Sequence, residues 1–273
     1  MSFDLDPPGP ARLILQKAGY DGGWTLQPEG TIPAALDDPP WMTLRSQNAP
    51  GQIALAIAPP GYALRTTLRV LRSLAEEGLG TLETDHLRFE SIITLRTACL
   101  RAWHLFRALP DAPEATFEAD LKREGQTWSG PTSQDLDPTN ATTREAQVRL
   151  RVGQSTFRAA LDDYWNGRCP LTGITDRALL RASHIVPWAE CESDRQRLDV
   201  FNGLLLAAHW DAAFDAFLIS FDADGKAIAS PSLSEVGVRA LGLTTAPHIT
   251  LSHDHAAPMA WHRAKMNAIA IRD

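Results

Sequence analysis

A run of two short apolar segments followed by an amphipathic helix constrains the fold of this chain more than any other feature. The predicted order is strand, polar loop, strand and helix, over residues 178–186, 189–201, 202–208 and 209–217. Trp210, Phe214 and Phe217 recur at helical spacing, so they form an apolar stripe that can pack on both strands. A hairpin follows, with strands predicted over 218–221 and 226–228 around Asp224-Gly225.

The same segment holds the polar residue types that hydrolysis of a phosphodiester needs. His184 lies near the end of the first strand, Asn202 begins the second, and Asp211 and Asp215 lie one turn apart on one side of the helix. A histidine titrates near neutral pH and suits a general base, whereas paired carboxylates suit a hard divalent cation. Asn202 either holds the intervening loop or binds the metal. Each residue also has a structural interpretation, as a buried histidine, a turn asparagine or an aspartate favoured by the helix dipole.

These motifs resemble the HNH endonucleases, the family of ββα-metal nucleases. They are Ser-His-Ile-Val-Pro-Trp at 183–188, Asn-Gly-Leu-Leu-Leu at 202–206 and Asp-Ala-Ala-Phe-Asp at 211–215, preceded by Arg-Cys-Pro-Leu-Thr-Gly at 168–173. The resemblance covers about 145–265 and points to a branch common in bacterial restriction and defence proteins. It implies a C-terminal ββα-metal nuclease domain.

The resemblance also assigns roles to individual residues. His184 takes the position of the residue that activates water. Asp211 stands where the family has its last histidine, and Asp215 matches a further ligand position. Ser183 replaces an aspartate ligand of many HNH enzymes, so its hydroxyl is the third candidate ligand. Oxygen ligands favour one Mg²⁺ or Mn²⁺ ion over Zn²⁺. His209 is an alternative ligand, although its place on the helix turns it toward another side.

The arginine content of the C-terminal half supports a nucleic-acid substrate despite a formal net charge of -7. Residues 1–143 carry net -6, the rest carry net -1, and nine arginines but no lysine lie between 144 and 197. The planar fork of arginine matches a phosphate group. The candidate phosphate-binding residues are Arg144, Arg149, Arg151, Arg158 and Arg181. An ordinary solvated surface is the alternative interpretation.

The composition along the chain predicts two domains of α+β class. They are an N-terminal α+β domain over 1–108, a polar linker over 109–143 rich in Pro, Ser and Thr, and the nuclease domain over 144–273. Residues 1–65 are predicted to be rich in strands and turns, with one strand at 52–58. The predicted helices cover 65–77, 85–108, Thr142 or Thr143 to Trp165, and the segment from 258 onward.

The sequence does not decide whether the N-terminal domain serves in recognition, ligand sensing or dimerisation. The aromatic residues that could stack on a modified base, or instead belong to the core, are Tyr20, Trp24, Trp41 and Tyr62. A homodimer is expected, because a site with one metal usually cuts a duplex as two copies. With no apolar run of 18 residues and no basic leader, the sequence predicts no membrane partner. Together with three cysteines that form no CxxC pair, this predicts a cytoplasmic location.

We therefore expect a metal-dependent DNA endonuclease acting in restriction or defence. The alternatives are a catalytically inactive ββα module that binds DNA or regulates, and an effector nuclease gated by a signal. Four further histidines, His248, His253, His255 and His262, lack the cysteine partners of a zinc site and are expected to be structural or exposed.

Overall fold

The computed structural model describes residues 9–26, 41–127 and 138–271, without the side chains of 26, 125–127 and 138–144. The chain divides into two compact units, Met1–Arg107 and Ala108–Asp273. Among the described residues, no helix combines the length and the apolar character needed to cross a membrane.

The first unit contains an antiparallel sheet with the strand order β1-β2-β3-β4-β6-β5. The strands are β1 (Thr25–Leu26), β2 (Met42–Arg45), β3 (Gln52–Ala58), β4 (Gly61–Arg65), β5 (Thr81–Leu82) and β6 (Leu87–Phe89). The helices are α1 (Gly9–Asp21), α2 (Leu68–Glu76) and α3 (Ile92–Ala108). The strand predicted at 52–58 is confirmed as β3. The strand-rich prediction for 1–65 missed α1, and the helix predicted over 85–108 begins only at Ile92, after β6.

Two of the four candidate stacking aromatics are core residues of the first unit. Trp24 and Trp41 are 0% and 1% exposed. The indole Nε1 of Trp24 donates a hydrogen bond to the Cys99 carbonyl at 2.8 Å, which ties β1 to α3. Tyr20 and Tyr62 keep part of their surface exposed. The core interpretation therefore holds for both tryptophans.

The second unit joins a helical part to a small ββα core. Its helices are α4 (Asp111–Thr127), α5 (Pro138–Tyr164), α6 (Asp194–Leu198), α7 (Ala208–Asp215), α8 (Glu235–Leu241) and α9 (Ala256–Ala270). Its strands are β7 (Leu180–His184), β8 (Gly203–Ala207), β9 (Ile219–Phe221) and β10 (Ala227–Ala229). β7 pairs antiparallel with β8, and His184 lies opposite Gly203. The order of β7, loop, β8 and α7 and the hairpin of β9 and β10 agree with the sequence prediction.

The segment predicted as a linker differs from the structure. Residues 111–127 form α4, and α5 begins at Pro138, within the range assigned to the linker. Pro113 lies in the first turn of α4 and Pro138 is the first residue of α5. Proline is tolerated at these positions because the first N–H groups of a helix have no partner within it. The prolines therefore mark helix starts in this part of the chain. Residues 128–137 lie outside the described part.

Helix α7 packs on the strands through Trp210 and Phe214, which are 2% and 0% exposed. Phe217 lies beyond the end of α7, with φ at 56°, so the predicted stripe has two helical members. His262 of α9 stacks on Phe214, with ring centroids 3.9 Å apart. Its Nδ1 lies 3.0 Å from Ser220 Oγ, and its Nε2 lies 3.2 Å from the Phe214 carbonyl oxygen. His262 thereby fastens α9 to the end of α7.

Candidate active site

His184, the last residue of β7, is held through one ring nitrogen. Its Nε2 lies 2.8 Å from the carbonyl oxygen of Arg197. A carbonyl oxygen only accepts, so this bond assigns the ring hydrogen to Nε2 and leaves the lone pair on Nδ1. Burial lowers the pKa of His184, an effect that the bond to the Arg197 carbonyl partly opposes. The imidazole is therefore neutral at pH 7, the form that a general base requires.

Phe157 of α5 supports the His184 ring from one face. The two rings are stacked, with centroids 3.8 Å apart and an interplanar angle of 15°. Gly203, opposite His184 in the sheet, allows this approach, because a Cβ at that position would lie 2.4 Å from Phe157 Cζ. The glycine of the Asn-Gly-Leu-Leu-Leu motif thus makes room for the aromatic support of the histidine.

Trp188 contacts the edge of the same histidine. The ring centroids of His184 and Trp188 are 5.8 Å apart, in a T-shaped arrangement. Gly153 of α5 admits the indole, because a Cβ there would lie 2.2 Å from Trp188 Cη2. Glycine within a helix lowers its stability by about 1 kcal/mol relative to alanine. Here the glycine allows α5 to approach the loop that carries Trp188.

Asn202 fastens the loop between β7 and β8. Its Oδ1 accepts a hydrogen bond from the Val186 N–H at 2.8 Å, and its Nδ2 donates to the carbonyls of Val186 and Gln196, both at 3.2 Å. Its own carbonyl accepts from the Ile185 N–H at 2.9 Å. We call this set of bonds around Asn202 the loop clasp. Because the amide oxygen already serves a buried N–H, the geometry supports the loop-holding role of Asn202 and not metal binding.

Arg197 is a site residue that sequence reasoning missed. Its Nε donates to the Trp188 carbonyl at 3.2 Å, and its Nη2 donates to the Cys191 carbonyl at 2.6 Å. Its own carbonyl holds His184. Nothing in the local sequence indicates this role, because Arg197 lies on α6, inside a stretch predicted as a polar loop. It also holds His184 through its backbone carbonyl, which every residue has.

The carboxylates lie on α7, next to the other face of β7. The Ser183 hydroxyl, on a residue 2% exposed, donates a hydrogen bond to Asp211 Oδ1. Desolvation, followed by the negative charge of Asp211, raises the pKa of Asp215 to about 6. Ser183 and Asp215 therefore both lie near Asp211. Over residues 9–26, 41–127 and 138–271, no three His, Cys, Asp or Glu side chains group as a metal site.

A divalent cation fits this set of oxygen donors. The charge of Asp211 disfavours ionisation of Asp215, and a cation between the two carboxylates would relieve that repulsion. Mg²⁺ commonly binds through one or two carboxylates and completes its shell with water and phosphate oxygens. The alternative ligand His209 is exposed on α7. Its ring lies beside Trp210, with centroids 6.4 Å apart.

The predicted phosphate-binding arginines are largely engaged within the protein. The side chain of Arg144 lies outside the described part. Arg149 pairs with Asp194, and Arg151 pairs with Glu124 at 2.9 Å. The side chain of Arg158 is 22% exposed, and its Nη1 donates to the Leu180 carbonyl at 2.8 Å. Arg181 is exposed, but its Nη1 donates to the backbone carbonyls of 178 and 180.

The fold and the site together define a ββα arrangement, with a neutral histidine on a strand and a carboxylate pair on the following helix. Residues 169–222 match the family model described as HNH endonuclease. This part of the chain is therefore similar to an HNH endonuclease domain. The match contains β7, β8 and α7 and thus His184, Asn202 and both aspartates. The comparison with curated proteins gives no match for the chain.

Proposed function

We propose that this protein is a metal-dependent endonuclease that hydrolyses phosphodiester bonds in DNA, in restriction or defence. One observation carries the proposal: of two adjacent residues of β7, one is suited to activate water and the other contacts the carboxylates that would bind the metal ion. His184 is neutral with its Nδ1 lone pair available, and Ser183 is bonded to the first of the two carboxylates of α7. His184 is the last residue of β7 and Ser183 directly precedes it, so both groups lie at the same end of the strand, where one phosphate group would meet them.

In the proposed reaction, Nδ1 of His184 takes a proton from the water molecule that attacks phosphorus. The bond from phosphorus to the 3′ oxygen breaks as the new bond to the water oxygen forms. Phe157 and the Arg197 carbonyl keep the imidazole in one orientation and one tautomer during this transfer. Asp211 and Asp215 would hold one Mg²⁺ or Mn²⁺ ion, with Ser183 orienting Asp211. When bound, this cation polarises the phosphate and stabilises charge on the leaving oxygen.

A plasmid-nicking assay tests the proposal directly. We expect the protein to nick supercoiled DNA in Mg²⁺ or Mn²⁺ and to be inactive in EDTA. His184→Ala is expected to lower the rate at least about 100-fold, because general-base catalysis contributes about 10²–10⁴-fold. His253→Ala is the matched control, since His253 is exposed and lies outside the site. Wild-type cleavage by His184→Ala would refute the assignment.

A second pair of variants examines the ligands. Asp211→Asn is expected to abolish cleavage and to weaken Mn²⁺ binding, measured by titration calorimetry. His209→Ala is expected to leave Mn²⁺ affinity unchanged, because its side chain is exposed beside Trp210. Loss of Mn²⁺ binding in His209→Ala, with Asp211→Asn unaffected, would reverse the ligand assignment.

A further inference from the structure

An acidic helix lies on the arginine-rich part of the second unit. Helix α4 packs against α5 and contacts α6. Its sequence contains two basic residues and five acidic residues, which are Asp111, Glu114, Glu118, Asp120 and Glu124. Phe117 of α4 is 2% exposed, and the guanidinium of Arg149 lies 5.2 Å from its ring centroid. The apolar side of α4 is thus anchored, and its carboxylates are presented toward basic residues of the nuclease unit.

Carboxylates of α4 pair with two arginines on neighbouring elements. Arg195 of α6 is held by two of them, with Nη1 2.9 Å from Glu114 Oε2 and Nη2 3.0 Å from Asp111 Oδ1. Arg151 of α5 lies 2.9 Å from Glu124 Oε1. At Arg195, two oxygens face the two terminal nitrogens of one guanidinium. A phosphate group binds arginine in the same way.

Both arginines belong to elements that hold the candidate base. Arg195 precedes Arg197 on α6, and the Arg197 carbonyl bonds His184. Arg151 lies on α5 six residues before Phe157, about 9 Å along the helix axis, and Phe157 stacks on His184. A duplex with one phosphate at His184 would therefore extend toward the two helices that carry Arg151 and Arg195.

In these ion pairs, a DNA phosphate can replace the carboxylate of α4. The side chains of Arg195 and Arg151 are 53% and 65% exposed even while paired. Exposed ion pairs contribute little net stability, and salt screens them further. Arginine contacts to several phosphates of one polyanion release counterions together. A duplex can therefore displace these carboxylates while α4 stays anchored through Phe117.

We propose that Arg151 and Arg195 form a phosphate-binding surface for the DNA backbone, which the carboxylates of α4 cover until DNA replaces them. The proposal rests on the proposed function, since it takes DNA as the substrate. It makes α4 an intramolecular competitor for the substrate, so the affinity of the resting protein for DNA is lower than its arginines alone would give.

The test compares two double variants that remove the same charge from the same helix. Asp111→Asn/Glu114→Gln frees Arg195, whereas Glu118→Gln/Asp120→Asn is the control, because neither of its residues pairs with α5 or α6 among the described residues. Binding of a 30-base-pair duplex is measured by fluorescence anisotropy at several salt concentrations, with His184→Ala in every protein to prevent cleavage. Arg195→Gln is added to each double variant, and melting curves verify folding.

We expect the release variant to bind DNA on the order of tenfold more tightly than the control variant. Its plot of log affinity against log salt should be steeper by up to about 0.9, because in the control variant the displaced carboxylates take up cations while the phosphate releases them. Arg195→Gln should remove this gain. Equal affinities for the two double variants, or a gain that persists with Arg195→Gln, would overturn the proposal.

Parallel nicking assays with His184 intact separate this proposal from the proposed function. Metal-dependent nicking together with equal affinities would overturn the role of α4 and leave the nuclease assignment standing. Absence of both DNA binding and nicking in every protein would overturn both proposals.

Discussion

Replacing Asn202 tests whether this residue serves the loop clasp. Asn202→Ala leaves the Val186 N–H without an acceptor and removes a donor from the Gln196 carbonyl. A stranded buried group costs about 1–3 kcal/mol, and each lost hydrogen bond costs about 0.5–1.5 kcal/mol. Because Asn202 is 1% exposed, water cannot easily replace the amide. We therefore expect the free energy of unfolding to fall by about 3 kcal/mol.

Asn202→Asp is the matched variant, since it preserves size and the acceptor for Val186. Its second oxygen would face the carbonyls of Val186 and Gln196, which now lie 3.2 Å from the amide nitrogen. Oxygen facing oxygen, or a buried charge without a partner, is unfavourable. We expect a loss at least equal to that of Asn202→Ala.

Urea denaturation measures both losses, and Mn²⁺ titration of the folded proteins at low temperature separates stability from metal binding. Both variants should keep the Mn²⁺ affinity of the wild type within about twofold, because the amide oxygen of Asn202 is used by the clasp. A stability change below about 1 kcal/mol would refute the clasp. A large loss of Mn²⁺ affinity at unchanged stability would instead make Asn202 a ligand.

Three further predictions follow from packing and charge. Gly153→Ala should lower the free energy of unfolding by about 1–3 kcal/mol in urea denaturation, because the new methyl meets Trp188 at 2.2 Å; a stabilised variant would contradict this. Burial lowers the pKa values of His255 and His262 to about 4, because the folded protein favours their neutral form. Their contribution to the free energy of unfolding is therefore complete above about pH 6.5 and is lost toward pH 4. The loss is up to about 3 kcal/mol for each, and a Tm that stays constant from pH 7 to 4.5 would disprove it. Because desolvation and the charge of Asp211 raise the pKa of Asp215 to about 6, Asp215→Asn should stabilise the metal-free protein at pH 7.5 by about 1 kcal/mol after solvent screening, and should abolish the Tm rise caused by Mn²⁺. A lower Tm of the metal-free variant would contradict the raised pKa.

The strands and the helix of the site were predictable because the apolar residues of each element follow a pattern that is visible in the local sequence. β7, β8 and α7 follow apolar runs and a helical stripe, and the spacing of Asp211 and Asp215 already placed both on one side of a helix. The helix end was harder, since Phe217 fits the stripe in sequence but adopts a left-handed backbone that stops α7. Periodicity reports which residues share a face and does not report where backbone geometry changes.

The groups that support the ring of His184 were not predictable, because they depend on tertiary contacts. Phe157 and the Arg197 carbonyl reach His184 from elements that are distant in sequence, and a carbonyl carries no residue-specific signal. Composition likewise indicated an arginine-rich region without showing which arginines are paired. The acidic partners of Arg151 and Arg195 lie on α4, in a stretch whose prolines resembled a linker.

The loop clasp has a consequence for how this protein can change over evolution. Its bonds close the chain at Val186 and Asn202, and Arg197 fastens the loop again at Cys191. The exposed stretch around Glu192 lies between these fixed points. Lengthening a closed loop costs only about 0.6 kcal/mol for each doubling. Residues can therefore be inserted there while His184 keeps its orientation, so that under the proposed function substrate specificity could evolve separately from catalysis.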